Sequence, residues 1–219
     1  MKLQRRQWLS CFLASALTCL LPAQQAPSAS SRSSTHRQAA APDPGQINNS
    51  LYRNPFFGFS YKLPFGWVDR TAEMREAASD PAKGLVMLAV FEHPPEAKTA
   101  TVNSSVVIAA ENAGSYTGLK SAAQYFGPLN EVVTQQGLKV VNEPYEFPVD
   151  ARSIVRCDYS KDLGGASLHQ STLALLTKGY VVSLTFIGGS EDELTELIEG
   201  LKFGLTGRPA KDHAANSHK

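Results

Sequence analysis

Between residues 51 and 67 the chain reads Leu51-Tyr52-Arg53-Asn54-Pro55-Phe56-Phe57-Gly58-Phe59-Ser60-Tyr61-Lys62-Leu63-Pro64-Phe65-Gly66-Trp67. Aromatic side chains alternate with small, polar and turn-forming residues. The pattern predicts a strand, a tight turn, a second strand and a stop at Pro64-x-Gly66-Trp67. Alternation would send Phe57, Phe59 and Tyr61 to one face, which is then a core face. Phe56 and Phe65 fall at the turns, where burial is not forced.

What precedes this run is of another kind. Lys2, Arg5 and Arg6 are followed by an apolar stretch from Trp8 to Leu21 and by Pro22-Ala23, the charged, apolar and small-residue parts of a signal peptide over residues 1 to 23. The stretch is short of the roughly 18 to 20 residues that a spanning helix needs, so a retained anchor is the second reading. Gln4-Arg5-Arg6-Gln7-Trp8-Leu9 resembles a twin-arginine signal, with Trp8 and Gln4 standing where Phe and Ser or Thr are usual; Sec export is the other route. Residues 24 to 46 are Gln, Ala, Pro and Ser with few apolar side chains, and read as an unfolded tether. The polar segment 206 to 219 reads as a tail of the same kind.

The 219 residues then leave one domain, over residues 47 to 205. Cys11 and Cys19 go with the leader, so Cys157 is the one cysteine of the exported form. It can form no internal disulfide, and no cysteine-based zinc cluster can be built. The net charge of +1 conceals an asymmetry. Residues 47 to 207 hold 13 Lys plus Arg against 18 Asp plus Glu, a net near −5. A nucleic-acid partner would call for a basic domain, and is not expected.

Strands are expected at Leu51 to Arg53, Phe59 to Leu63, Leu85 to Phe91, Ser104 to Glu111, Leu138 to Phe147, Ala151 to Ser160, Ser167 to Thr177 and Tyr180 to Ile187. In the sixth, Ser153, Val155, Cys157 and Tyr159 share one face, opposite Arg152, Ile154, Arg156 and Asp158. Loops at Lys161 to Gly165 and Thr177 to Gly179 make the last three strands an antiparallel meander. Apolar spacing from Leu119 to Val133 predicts a helix that Gly127-Pro128 would kink or split. Ser190, with Glu193 three residues on, caps a last helix whose stripe is Leu194, Leu197, Ile198 and Leu201. Together these give an α+β fold, an antiparallel sheet flanked by helices in an α/β/α sandwich.

Tyr52-x-Asn54, Phe57-Gly58-Phe59-Ser60-Tyr61 and Pro64-x-Gly66-Trp67, with the closing Ser190 to Phe203 segment, resemble PsbP-like domains, the superfamily of PsbP, Mog and LpqN-like proteins. The likeness would cover about residues 47 to 205 and rests on packing and turn residues. It implies a non-enzymatic domain that docks onto an assembly or holds a ligand outside the cytoplasm, and it carries over no binding residue.

Chemistry is sparse. Cys157 and His169 would face each other if the intervening loop centres on Leu163, giving a thiol beside an imidazole. A turn at Gly164-Gly165 would instead set His169 against Ser160, and Cys157 shares its face with Val155, as a packed core thiol would. His213, His218 and Asp212 fall in the polar tail, and no His-Glu-x-x-His pattern exists, so no metal is expected. Glu191, Asp192, Glu193, Glu196 and Glu199 suit the first turn and open face of a helix. Gly114-Ser115-Tyr116-Thr117-Gly118 matches neither a phosphate loop nor a nucleophile elbow, but would display Tyr116 for binding. The expectation is an exported, cofactor-free binding or assembly module of the cell envelope. It would be periplasmic or extracellular and touch the membrane only through export or a retained leader. Its partner would be an envelope protein or an apolar ligand, met by Phe56, Phe65 and Tyr116. The alternatives are a carrier of a small hydrophobic molecule and an enzyme using Cys157 and His169.

Overall fold

The computed structural model describes residues 42–78, 84–94, 97 and 102–204. The segments expected to be a signal peptide (1–23) and most of a tether (24–41), and the C-terminal segment with Asp212, His213 and His218, lie outside them.

The aromatic run does not join the main sheet. β2 (Leu51–Asn54) and β3 (Phe59–Lys62) pair antiparallel, with β1 (Gln46–Asn48) beyond β2 and β11 (Leu201–Phe203) beyond β3, in a four-stranded sheet of their own. The larger sheet is also antiparallel, in the order β4 (Val68–Asp69), β5 (Gly84–Phe91), β6 (Ser105–Asn112), β10 (Tyr180–Gly188), β9 (Ser167–Thr177), β8 (Arg152–Asp162) and β7 (Lys139–Val149). The β8, β9, β10 meander is as the loops predict.

The two faces of the large sheet are covered differently. Tyr52, Phe59, Tyr61, Leu201 and Phe203 of the small sheet, with Leu194, Leu197 and Ile198 of α3 (Glu191–Glu199), close over Met87, Leu88, Ile108, Leu173, Leu184 and Phe186 in the main core. On the other face α2 (Ala122–Gln135) sets Tyr125, Phe126 and Val133 on Val155, Cys157, Tyr159, Ala174 and Val181. Beside it α1 (Thr71–Ala77) rests Met74 on Val86, Ala89 and Phe91. The α+β sandwich holds, with the small sheet sharing one face with α3.

Local chemistry explains the ends and turns. Asn54, fully buried, donates to the Asp43 carbonyl (2.9 Å) and the Tyr52 hydroxyl (3.1 Å) and accepts from the Phe57 amide (2.9 Å). Tyr52 in turn donates to the Pro44 carbonyl at 2.8 Å. The Tyr52-x-Asn54 pair therefore shapes the turn at residues 54–58 and fastens residues 43 and 44 to the core. Ser190 Oγ accepts from the Glu193 amide (3.1 Å), while the Glu193 carboxylate accepts from Gly189 (2.7 Å), one residue before the expected partner. Gly200 ends α3 where a Cβ would stand 2.9 Å from the Tyr61 ring, so the helix meets β3 closely.

Three expectations are corrected. Helix α2 is not split at Gly127-Pro128: it continues through Pro128, with both residues exposed so that the ring meets no neighbouring element, and it starts only after the cap at Ser121. Leu201 to Phe203 leaves the helix and pairs with Phe59 to Tyr61. The β8–β9 register matches the Gly164-Gly165 alternative, setting His169 opposite Ser160 and Cys157 opposite Thr172.

Strand β7 forms one edge of the large sheet. Its ladder with β8 slips twice, between Val140 and Asn142 and between Asn142 and Tyr145, and it contains Pro144 and Pro148.

Candidate functional site

The turn after β3 presents Phe65. Gly66 adopts φ +80°, which glycine takes without strain, and a Cβ there would meet nothing within 4 Å, so backbone conformation rather than space asks for glycine. The turn is anchored on both sides: the Lys62 amide donates to Gly200 (2.9 Å), Leu63 to Ser50 (2.8 Å), and Trp67 packs on the main core. Phe65 itself is 101% exposed. The other exposed large apolar side chains among the described residues, Ile47, Val141, Tyr145 and Leu163, are all at most half exposed.

Phe56 sits at the opposite end of β3, so the structure does not bring it together with Phe65. It is half-buried, edge-on to Phe57 (4.8 Å between centroids) and near Tyr180 (6.4 Å). The Lys178 ammonium lies 4.7 Å from the Phe56 ring centroid and donates to the Phe56 carbonyl at 2.6 Å.

Tyr116 follows a short 3₁₀ turn at Ala113–Ser115, capped by the Asn112 side chain. It folds back on the protein, donating to Glu111 and stacking edge-on against Tyr125 at 5.5 Å. Tyr125 donates to the other Glu111 oxygen at 2.7 Å. Burial first, then the Glu111 carboxylate, push both phenols well above their usual range. Glu111 thus holds the loop to α2, and the Tyr116 hydroxyl is taken up internally.

The thiol and imidazole are not a pair. Cys157 is fully buried in the core under α2, where its thiol donates to the Asn142 carbonyl (3.2 Å). Burial raises its pKa, the opposite of what a nucleophilic thiolate needs. His169 lies on the other face of the sheet, opposite Ser160.

A polar cluster that the strand pattern alone does not bring together joins β7, β8 and β9. Asp158 is 8% exposed and accepts from Arg156 Nε (2.7 Å), Asn142 Nδ2 (3.1 Å), the Tyr145 hydroxyl (3.0 Å) and the Ser171 hydroxyl. Arg156 also donates to Ser171 (3.0 Å) and lies 4.9 Å over the Phe147 ring. Burial would raise the Asp158 carboxyl, but the Ser171, Arg156 and Asn142 donors outweigh it and hold the pKa below the usual range. The signal was present in the shared face of Ile154, Arg156 and Asp158, since two opposite charges on a covered face of an inner strand have to meet each other. Every Asp158 contact is internal, so the cluster reads as a structural tie.

Beneath α2, Tyr125, Phe126 and Val133 pack directly on Val155, Cys157, Tyr159, Ala174 and Val181. A cleft of about 320 Å³ opens at the start of α2, and Lys120, Ser121, Glu146 and Ser153 line it along with Ile154, Val155 and Leu175. No helix among the described residues is long and apolar enough to cross a membrane.

No protein-family model matches this sequence, and no curated protein matches it significantly. Among solved structures, LpqN, described as involved in cell envelope biogenesis of Mycobacterium tuberculosis, is similar in fold at 10% identity and a TM-score of 0.38, over 74% of this chain and 86% of that one. A protein from Bacteroides thetaiotaomicron VPI-5482 is similar at 14% identity and a TM-score of 0.34; the match spans 74% of this chain and half of that one's length. Likenesses this remote bring no activity to the chain.

Proposed function

We propose that this chain is an exported, PsbP-like binding or assembly module of the cell envelope that meets its partner through the Phe65 turn. One observation carries the reading: a turn tied to its neighbours by backbone hydrogen bonds holds a large aromatic side chain wholly in solvent, where it contributes nothing to the core. The signal-peptide pattern of residues 1 to 23 supports export, and the internal use of Cys157, Tyr116 and Asp158 leaves them to packing. Carriage of a small apolar molecule has less support, because the cleft beside α2 mixes charged and apolar walls.

A photo-crosslinking residue placed at position 65 in cells tests this, with the same residue at Leu163 as control. The expected result is an adduct from the exported protein at position 65 and none at 163. Equal labelling at both sites, or at neither, would remove the Phe65 turn from the function.

A further inference from the structure

We propose that the outer face of the four-stranded sheet, together with the Phe65 turn, docks the domain onto an anionic lipid surface. The inference rests on the reading of the domain as a binding module that uses this turn, and it names the partner.

Strand alternation creates the face. With Tyr52, Phe59, Tyr61, Leu201 and Phe203 turned to the core, Arg53, Ser60, Lys62 and Lys202 must point the other way. Arg53 pairs with Ser60 across one ladder and Lys202 with Ser60 across the next, so the two cations flank one serine. With strands about 4.8 Å apart they stand about 10 Å from each other, and Lys62 follows about 7 Å further along β3. All three are exposed. Phe65 comes three residues after Lys62.

The charge is segregated. Residues 44 to 68 and 200 to 204 contain Arg53, Lys62 and Lys202 and no Asp or Glu, in a domain whose net charge is near −5. Asp43 and Asp69 border the first segment, and the Lys202 ammonium lies 3.9 Å from Asp150; among the described residues neither Arg53 nor Lys62 forms an ion pair. An acidic domain whose small-sheet strands carry cations and no Asp or Glu offers that face to a negative surface.

Geometry favours lipid over an acidic protein. Protein interfaces centre on an apolar anchor ringed by polar groups. Here the exposed aromatic side chain lies in the turn beyond β3, while the cations stand on the inner strands β2 and β3 and the edge strand β11, with no apolar anchor between them. Phe65 projecting from a turn can enter the headgroup layer, where apolar burial and attraction to anionic headgroups add together.

The test uses protein recovered from the exported fraction and floated with vesicles of phosphatidylglycerol or of phosphatidylcholine. The expected result is salt-sensitive binding to phosphatidylglycerol and little to phosphatidylcholine. Affinity should fall about fivefold for each of Arg53→Gln, Lys62→Gln and Lys202→Gln, and about 100-fold for the three together. Lys139→Gln, at the end of β7 away from Asp150 and Lys202, should change nothing. Phe65→Trp should give emission quenched by brominated phosphatidylglycerol beyond the Trp67 background. Unchanged circular dichroism and melting of the charge variants keep the comparison valid. Equal binding to both lipids, or a triple variant that binds like the unsubstituted protein, overturns the proposal. A position-65 adduct that is a protein rather than a lipid overturns it too, and in that case the binding-module reading stands; loss of both vesicle binding and the adduct removes both.

Discussion

Asp158 accepts from Arg156, two residues before it on the same face of β8, across 2.7 Å, and both side chains are mostly removed from solvent. Such a pair costs far more to break than it contributes net, because the surviving charge is left buried. Asp158→Ala should therefore lower unfolding stability by about 3 kcal/mol at neutral pH, measured by urea denaturation. Simultaneous replacement of Arg156 should recover part of that loss.

The pH dependence follows from the same carboxyl. Its pKa is lower folded than unfolded, so its contribution is fully present above the unfolded value of about 3.9 and disappears as pH falls through the folded one. Urea midpoints of the unsubstituted protein and Asp158→Asn should differ at pH 7 and converge as the pH drops below about 4. A gap that persists unchanged at pH 2 would assign the effect to packing instead.

Tyr61 is fully buried, and its hydroxyl has no hydrogen-bond partner among the described residues. Burial of an unpaired phenol costs free energy that phenylalanine avoids. Tyr61→Phe should raise stability by about 1 kcal/mol, visible as a higher melting temperature; a loss would mean that the hydroxyl has a partner in the folded protein.

Cys157 sits fully buried with its pKa raised by burial. Its reaction with a thiol reagent at pH 8 should be on the order of 100-fold slower in the native protein than in urea. Fast native labelling would show that the thiol is reached from solvent.

Phe65→Ala should leave stability within about 0.5 kcal/mol, since the ring buries nothing. Gly66→Ala should cost about 1 kcal/mol through its φ of +80°. Denaturation curves separate the two, and the contrast distinguishes a residue kept for an external contact from one kept for the turn.

Long, strongly alternating strands and the capped last helix were legible in the sequence, because periodicity and capping are local signals. Elements governed by distant partners were not. Leu201 to Phe203 continues the apolar stripe of α3, yet pairing with β3 overrides it. Helix α1 buries no residue fully and has no side-chain cap, and β4 is two residues long, so neither leaves a periodic trace. That the sheet of the aromatic run gains a fourth strand depends on β11, about 140 residues later in the chain. Of the candidate residues, the exposure of Phe65 could be anticipated from its place in a Pro-x-Gly turn. The internal use of Tyr116 depends on Glu111 and Tyr125, whose convergence is tertiary.

The broken rim formed by β7 bears on how many copies can share a location. Two ladder slips and two prolines deprive that edge of the regular row of amide donors another strand would need. Copies crowded side by side on one surface would then lack a backbone template for growing into a fibre through this edge, and the domain can be concentrated there while each copy keeps its own fold.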